Sequence, residues 1–139
     1  METPIVEMET ENQRIMLEAG YLYLSMQRFK EAQAVFEGVS VLAPNSEVPL
    51  VGLGNVFFVQ HKFEEAIRIY EKALKLVPDS AFALAYLGES LFFSGKSDKS
   101  RAMLNKASTL DPQGKSGDFA RALLELVDKG FAPEPNNSK

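Results

Sequence analysis

The sequence predicts an all-α protein built as an α-solenoid of three similar helix pairs closed by a C-terminal capping helix, and three observations carry that reading. Pro44, Pro78 and Pro112 lie 34 residues apart. Each follows a helical run (VSVLAP, LKLVP, STLDP) that it must terminate, because proline cannot continue a helix. Gly20, Gly54 and Gly88 repeat at the same interval, each inside a helical pattern. There a glycine costs about 1 kcal/mol against alanine, so three of them point to close helix-to-helix approach. Finally, small and large apolar positions recur in register: Ala32, Ala66 and Ser100, and Phe36, Tyr70 and Leu104. Three stops at one period imply three copies of one unit.

The elements follow in order. The first helices of the pairs are expected near 13–26, 47–60 and 81–94, and the second helices near 29–42, 63–76 and 97–110. Turns fall at QRF, HKF and SGKS. Asn45–Ser46 and Asp79–Ser80 follow the first two prolines as cap candidates. The units therefore run 13–46, 47–80 and 81–114. After Gly114, SGDFARALLELVDKG reads as the capping helix of 115–130. Ser116 or Asp118 can cap it, Phe119, Leu123, Leu126 and Val127 form its apolar stripe, and Gly130 can end it. Residues 131–139 read as a disordered tail. Residues 1–12 read as an N-terminal arm, either loose or forming a short extra helix.

Composition bounds the function. The chain has 139 residues, 45% hydrophobic and 24% charged, with net charge −4. That is one globular domain. Acids outnumber bases 19 to 15 and the bases are scattered, so nucleic acid and anionic membrane are not expected partners. No apolar run is long enough for membrane insertion, and the acidic N-terminus has no secretory pattern, so a cytoplasmic location is the default expectation. There is no cysteine, hence no disulfide or thiolate chemistry.

The pattern resembles the tetratricopeptide repeat, W-x2-L-G-x2-Y then A-x3-F then P at a period of 34. The Trp slot holds Met16, Leu50 and Leu84, the Leu slot Ala19, Leu53 and Leu87, and the Tyr slot Tyr23, Phe57 and Leu91. Each departure stays apolar or small. The resemblance covers residues 13–114 and implies helix pairs, A and B, stacked around a continuous core.

Helix A carries more apolar surface than this packing needs. Met16, Ala19, Gly20 and Tyr23 share one face, while Leu17, Tyr21 and Leu24 form a second stripe about 100° further round. In the second repeat the equivalents are Val48, Val51, Asn55 and Phe58, with Val59 beside them. In the third they are Phe82, Ala85, Glu89 and Phe92, with Phe93 beside them. The resemblance implies that this stripe lines a concave, partner-binding surface. Periodicity alone leaves open whether it is a standing groove for a hydrophobic peptide or helix of a protein partner. It is otherwise covered by the arm, by the last helix, or by a second copy in a homodimer.

Members of the family that hold the acidic C-termini of heat-shock chaperones use Lys, Asn and Arg in the groove. The corresponding positions here are Leu17, Tyr21, Asn55, Phe82 and Tyr86, and Asn55 alone fits. The stretches VGLGNVFF, FEEAIRIYEKAL, LGESLFFSGKSDKSRAML and ARALLELV instead resemble the three-repeat translocator chaperones of bacterial type III secretion. This implies a hydrophobic export substrate as client, a translocator or a needle-type subunit. That family has a longer N-terminal helical region than the dozen residues here. A general scaffold repeat is the alternative.

No catalytic, cofactor or metal site is expected. His61 is the sole histidine and sits in a turn. Gly52–Gly54 lies inside a helix, without the third glycine of a phosphate loop. Glu64–Glu65 opens a helix, where acids complement the dipole. Asn136–Asn137–Ser138 matches a glycosylation sequon that has meaning only on a secreted chain.

Overall fold

The computed structural model describes residues 5–133, and the described residues form seven α-helices and no strand. They are α1 (Ile5–Ser25), α2 (Phe29–Leu42), α3 (Val48–Val59), α4 (Phe63–Leu76), α5 (Ala81–Phe93), α6 (Ser97–Leu110) and α7 (Lys115–Asp128). Residues 5–12 continue α1 without a break and so are no separate arm. Residues 1–4 and 134–139 lie outside the described residues, and with them most of the expected tail.

Each pair closes with the same hairpin. Arg28 N donates to Tyr23 O (2.9 Å), Lys62 N to Phe57 O (3.0 Å) and Lys96 N to Leu91 O (2.8 Å). These are the 6→1 bonds of a Schellman motif, which requires a left-handed residue just before the donor. The residues there, Gln27 (φ 59°), His61 (φ 62°) and Gly95 (φ 82°), are again 34 apart. Gly130 (φ 80°) ends α7 in the same way, as the sequence predicts, with Phe131 N bonded to Leu126 O at 3.0 Å.

The helix starts vary more. Ser80 caps α5, its hydroxyl accepting from Ala83 N at 3.1 Å, and Ser46 Oγ accepts from Val48 N at 3.2 Å. Pro49 occupies the first turn of α3, where its missing N–H costs nothing. Neither Ser116 nor Asp118 caps α7: both lie within the helix, and the Asp111 carboxylate reaches over to accept from Gly117 N at 3.1 Å. Gly117 is fixed by the same approach, since a Cβ there would overlap the Asp111 carbonyl.

The core is written at period 34. Ala32, Ala66 and Ser100, then Phe36, Tyr70 and Leu104, then Val39, Ala73 and Ala107 are all buried on the B helices. The predicted close approach is real: a Cβ on Gly20 would stand 2.8 Å from Phe36 Cζ, and one on Gly88 2.5 Å from Leu104 Cδ2. The Tyr70 ring occupies the same place over Gly54, and Phe36 also covers Gly52. Where the small slot changes from alanine to Ser100, its hydroxyl donates to Gly88 O at 2.7 Å, so the buried polar atom is satisfied.

Candidate functional site: the face of the A helices

The helices form two layers of unequal spacing. The backbones of α1, α3, α5 and α7 approach one another in sequence, whereas those of α2 and α4, and of α4 and α6, stay further apart. The layer of A helices is thus the tighter, inner one, and its free face is concave. α7 packs on α5 and α6 and reaches neither α1 nor α3, so among the described residues it flanks this face without spanning it.

Burial divides the eleven stripe residues. Val51, Ala85 and Phe92 are buried in the core, Val51 between α3, α4 and α5, Ala85 and Phe92 with α6 and α7. Their side chains pack against the next repeat and offer a partner little. Leu17, Tyr21, Leu24, Val48, Phe58, Phe82 and Glu89 stay half-buried. Leu17, Tyr21 and Leu24 rest on the Phe36 cluster, Phe58 and Phe82 on the cluster around Tyr70. The burial of the other three has a simple cause. A residue 100° round from the intra-repeat face meets the following A helix, and a single helix's period cannot reveal that neighbour.

Asn55 is 7% exposed and is engaged at both ends of its amide. Its Nδ2 donates to the Tyr21 hydroxyl at 3.3 Å, and its Oδ1 accepts from the Tyr70 hydroxyl. The one residue matching a carboxylate clamp is therefore occupied within the chain. Burial pushes the Tyr21 hydroxyl up to about 12 and raises Tyr70 further, so both stay neutral across the physiological range.

Two aromatic groups that sequence reasoning did not assemble complete the face. Phe82 and Tyr86 meet edge to face with centroids 5.3 Å apart, and Tyr86 lies 5.7 Å from Phe119 of α7 and 6.1 Å from Tyr70. Phe82, Tyr86 and Phe119, together with Ala85, Lys115 and Ser116, line a pocket of 270 Å³ where α7 meets α5. The period carried a signal for Phe119, which lies 34 residues after Ala85 in the slot of Leu17 and Val51, in what acts as a fourth A helix. At the hairpin rim, Phe58, Phe63 and Phe93 form a second group with centroids 5.3–5.8 Å apart, and Phe93 is 40% exposed. His61 lies against Phe63 at 5.6 Å in this group, in a solvent-exposed turn.

Glu89 is the carboxyl of this face. Burial raises its pKa from the usual carboxylate range to about 7, and among the described residues it has neither hydrogen bond nor ion pair. The outer layer holds a larger hollow of 470 Å³ between α4 and α6, floored by Ile67, Leu87, Leu91 and Met103. Its rim carries both signs of charge, and Lys96 bridges it to Glu64 at 3.3 Å. Exposed pairs of that kind contribute about 0–1 kcal/mol and mark a solvated surface. No group of three His, Cys, Asp or Glu among the described residues is placed to hold a metal ion, and no described helix is long and apolar enough to cross a membrane.

Comparison with known proteins fits this architecture. Models of the tetratricopeptide repeat match residues 13–45 and 45–113. No curated protein matches in sequence. Among solved structures, the type III secretion translocator chaperone SycD of Yersinia enterocolitica superposes with TM-score 0.73 at 15% identity, covering 87% of this chain and 86% of that one. The chaperone PcrH in complex with the chaperone-binding region of PopD gives 0.73 at 17% identity, over 87% and 94%. The first repeat domain of Spaghetti (RPAP3), bound to the HSP90 peptide SRMEEVD, gives 0.73 at 18% identity, over 86% and 93%. At these identities the likeness is one of fold.

Proposed function

Because this chain belongs to the tetratricopeptide repeat family, a family of protein-binding modules, we propose that it holds an apolar segment of another polypeptide against the inner face of its A helices. The observation that carries this reading is the row of half-buried apolar and aromatic side chains, Leu17, Tyr21, Phe82, Tyr86 and Phe119, on a face that no described element spans. With Leu24, Val48 and Phe58 these make eight residues, already half-buried, whose remaining surface offers gross burial of about 5–10 kcal/mol, most of it offset by the cost of association.

The specific form is a cytoplasmic chaperone of type III secretion that keeps a hydrophobic export substrate, a translocator or needle-type subunit, soluble until export. The likeness to SycD and PcrH supports it, as does the apolar chemistry of the face. The acidic HSP90 peptide seen with RPAP3 requires donors, and here Leu17, Tyr21, Phe82 and Tyr86 occupy the clamp positions while Asn55 is engaged internally. A general scaffold in a larger assembly is the second reading.

The test replaces Leu17 and Phe82 with Glu, residues half-exposed enough to change without emptying the core. Circular dichroism and melting should stay close to wild type while the partner captured from the native cell is lost. Retention of that partner by the folded double variant would sink the groove reading. A client that stays soluble on its own would favour the scaffold over the chaperone.

A further inference from the structure

Tyr21, Asn55 and Glu89 occupy one slot in three successive A helices, 34 residues apart. The first two are joined to each other and to Tyr70 by hydrogen bonds. Glu89 continues the row with a carboxyl that has no hydrogen-bonding or ionic partner among the described residues, half-buried in the inner face. We propose that the segment held in this groove carries a lysine or arginine whose side chain meets the Glu89 carboxylate. The inference rests on the groove reading above and adds the chemistry of the occupant.

The surroundings favour a cation over any other occupant of that position. Near Glu89 lie Tyr86 on its own helix and Tyr70 from α4, both neutral near pH 7. From α7, Lys115 stands on the rim of the pocket shared by Phe82, Tyr86 and Phe119 and makes no ion pair with Glu89. No Lys, Arg or His of any packed element forms an ion pair with Glu89 among the described residues. A carboxylate held this way gains most from a partner that brings opposite charge and shuts out water at once. The rings of Tyr86, Phe82 and Phe119 can take the aliphatic stem and the π-contact of such a side chain. The net charge of −4 also draws a basic segment toward the protein.

The test uses two series of blocked twelve-residue Leu/Ala peptides, one with a single Lys walked through every position and one with uncharged norleucine in its place. Their affinities for the full chain are read by fluorescence anisotropy at pH 8 and pH 5.5. A cation that returns the Glu89 pKa by about one unit tightens binding about tenfold where Glu89 is ionised, and leaves little difference where it is protonated in both states. At least one Lys peptide should therefore beat its norleucine twin about tenfold at pH 8 and bind equally at pH 5.5. Glu89→Gln, checked for its fold by circular dichroism, should abolish the preference. Equal binding of the twins at pH 8, or a Lys preference that survives in Glu89→Gln, would overturn the inference while leaving the groove in place. A neutral Glu89 donating to the peptide backbone would show as equal twins, both tighter at pH 5.5, and would overturn it too. Binding by neither series would remove the groove reading and this inference with it.

Discussion

Tyr70 donates its hydroxyl to the side-chain oxygen of Asn55 across the α3–α4 pair, and both residues are buried. The bond joins the ring that fills the second repeat to the row of A-helix side chains facing the groove. Asn55 passes the link on to Tyr21 of the first repeat.

Tyr70→Phe keeps the ring and leaves the Asn55 oxygen without its donor. An unsatisfied buried acceptor costs about 1–3 kcal/mol, so urea unfolding should show a loss of that size. Tyr21→Phe removes a longer bond at a half-exposed residue and should cost less than about 1 kcal/mol. Equal losses for the two would mean that water on the half-exposed Tyr21 side does not replace the lost partner of the Asn55 amide.

Gly54 and Gly38 are both helix-interior glycines, and their alanine variants should move in opposite directions. Gly38 has no atom within 4 Å of an added Cβ, so alanine gains about 0.5–1 kcal/mol of helix propensity. At Gly54 the Cβ meets the buried Tyr70 ring, and overpacking of that kind costs about 1–3 kcal/mol, more than the propensity returns. Thermal melting of the pair tests this directly, and a stabilised Gly54→Ala would show that Tyr70 can move aside.

His61 and Gln27 hold left-handed backbone where the third hairpin has Gly95. A non-glycine residue in that region carries about 1 kcal/mol of strain. His61→Gly and Gln27→Gly should each raise stability by roughly half to all of that, since glycine's extra freedom in the unfolded chain takes some back. Gly95→Ala should lower it. A destabilised Gln27→Gly would place side-chain contacts above backbone strain at that turn.

Glu89→Gln should stabilise the protein above about pH 5, increasingly so up to about pH 7. The folded-state pKa is raised to about 7 from the ordinary 4.5, so the folded protein binds this proton more tightly than the unfolded chain does. The wild-type carboxyl is therefore harmless below about pH 4.5, and its penalty grows from there to about pH 7 and then levels off. The gain from Gln should approach at most about 3 kcal/mol at pH 8 and vanish near pH 4. A gain independent of pH would mean that ionisation of Glu89 is not what destabilises the wild type.

The sequence made the architecture legible because one physical demand recurs at one interval. Each Gly20–Phe36, Gly54–Tyr70 and Gly88–Leu104 pair sits 16 residues apart and packs as the spacing requires. Other features left no such trace. The left-handed turns were hidden because two of the three, Gln27 and His61, are not glycine, and only Gly95 in the same register betrays them. Val51, Ala85 and Phe92 looked like surplus because one helix's period reports how many faces are apolar, not which neighbour covers each. The α7 cap was missed because its acceptor, Asp111, comes from before the helix and from beyond the proline. The Tyr21–Asn55–Tyr70 network joins three helices, and its only sequence signal was the shared 34-residue slot of its first two members.

The helices are not held alike. α5 is gripped by α3, α4, α6 and α7, whereas α1 touches only α2 and α3. The wall bearing Phe82, Tyr86 and Glu89 is thus anchored on every side, and the wall bearing Leu17, Tyr21 and Leu24 is the outermost leaf of the stack. One edge of the face is therefore braced by four neighbouring helices and the other by two, so local opening should cost least at α1.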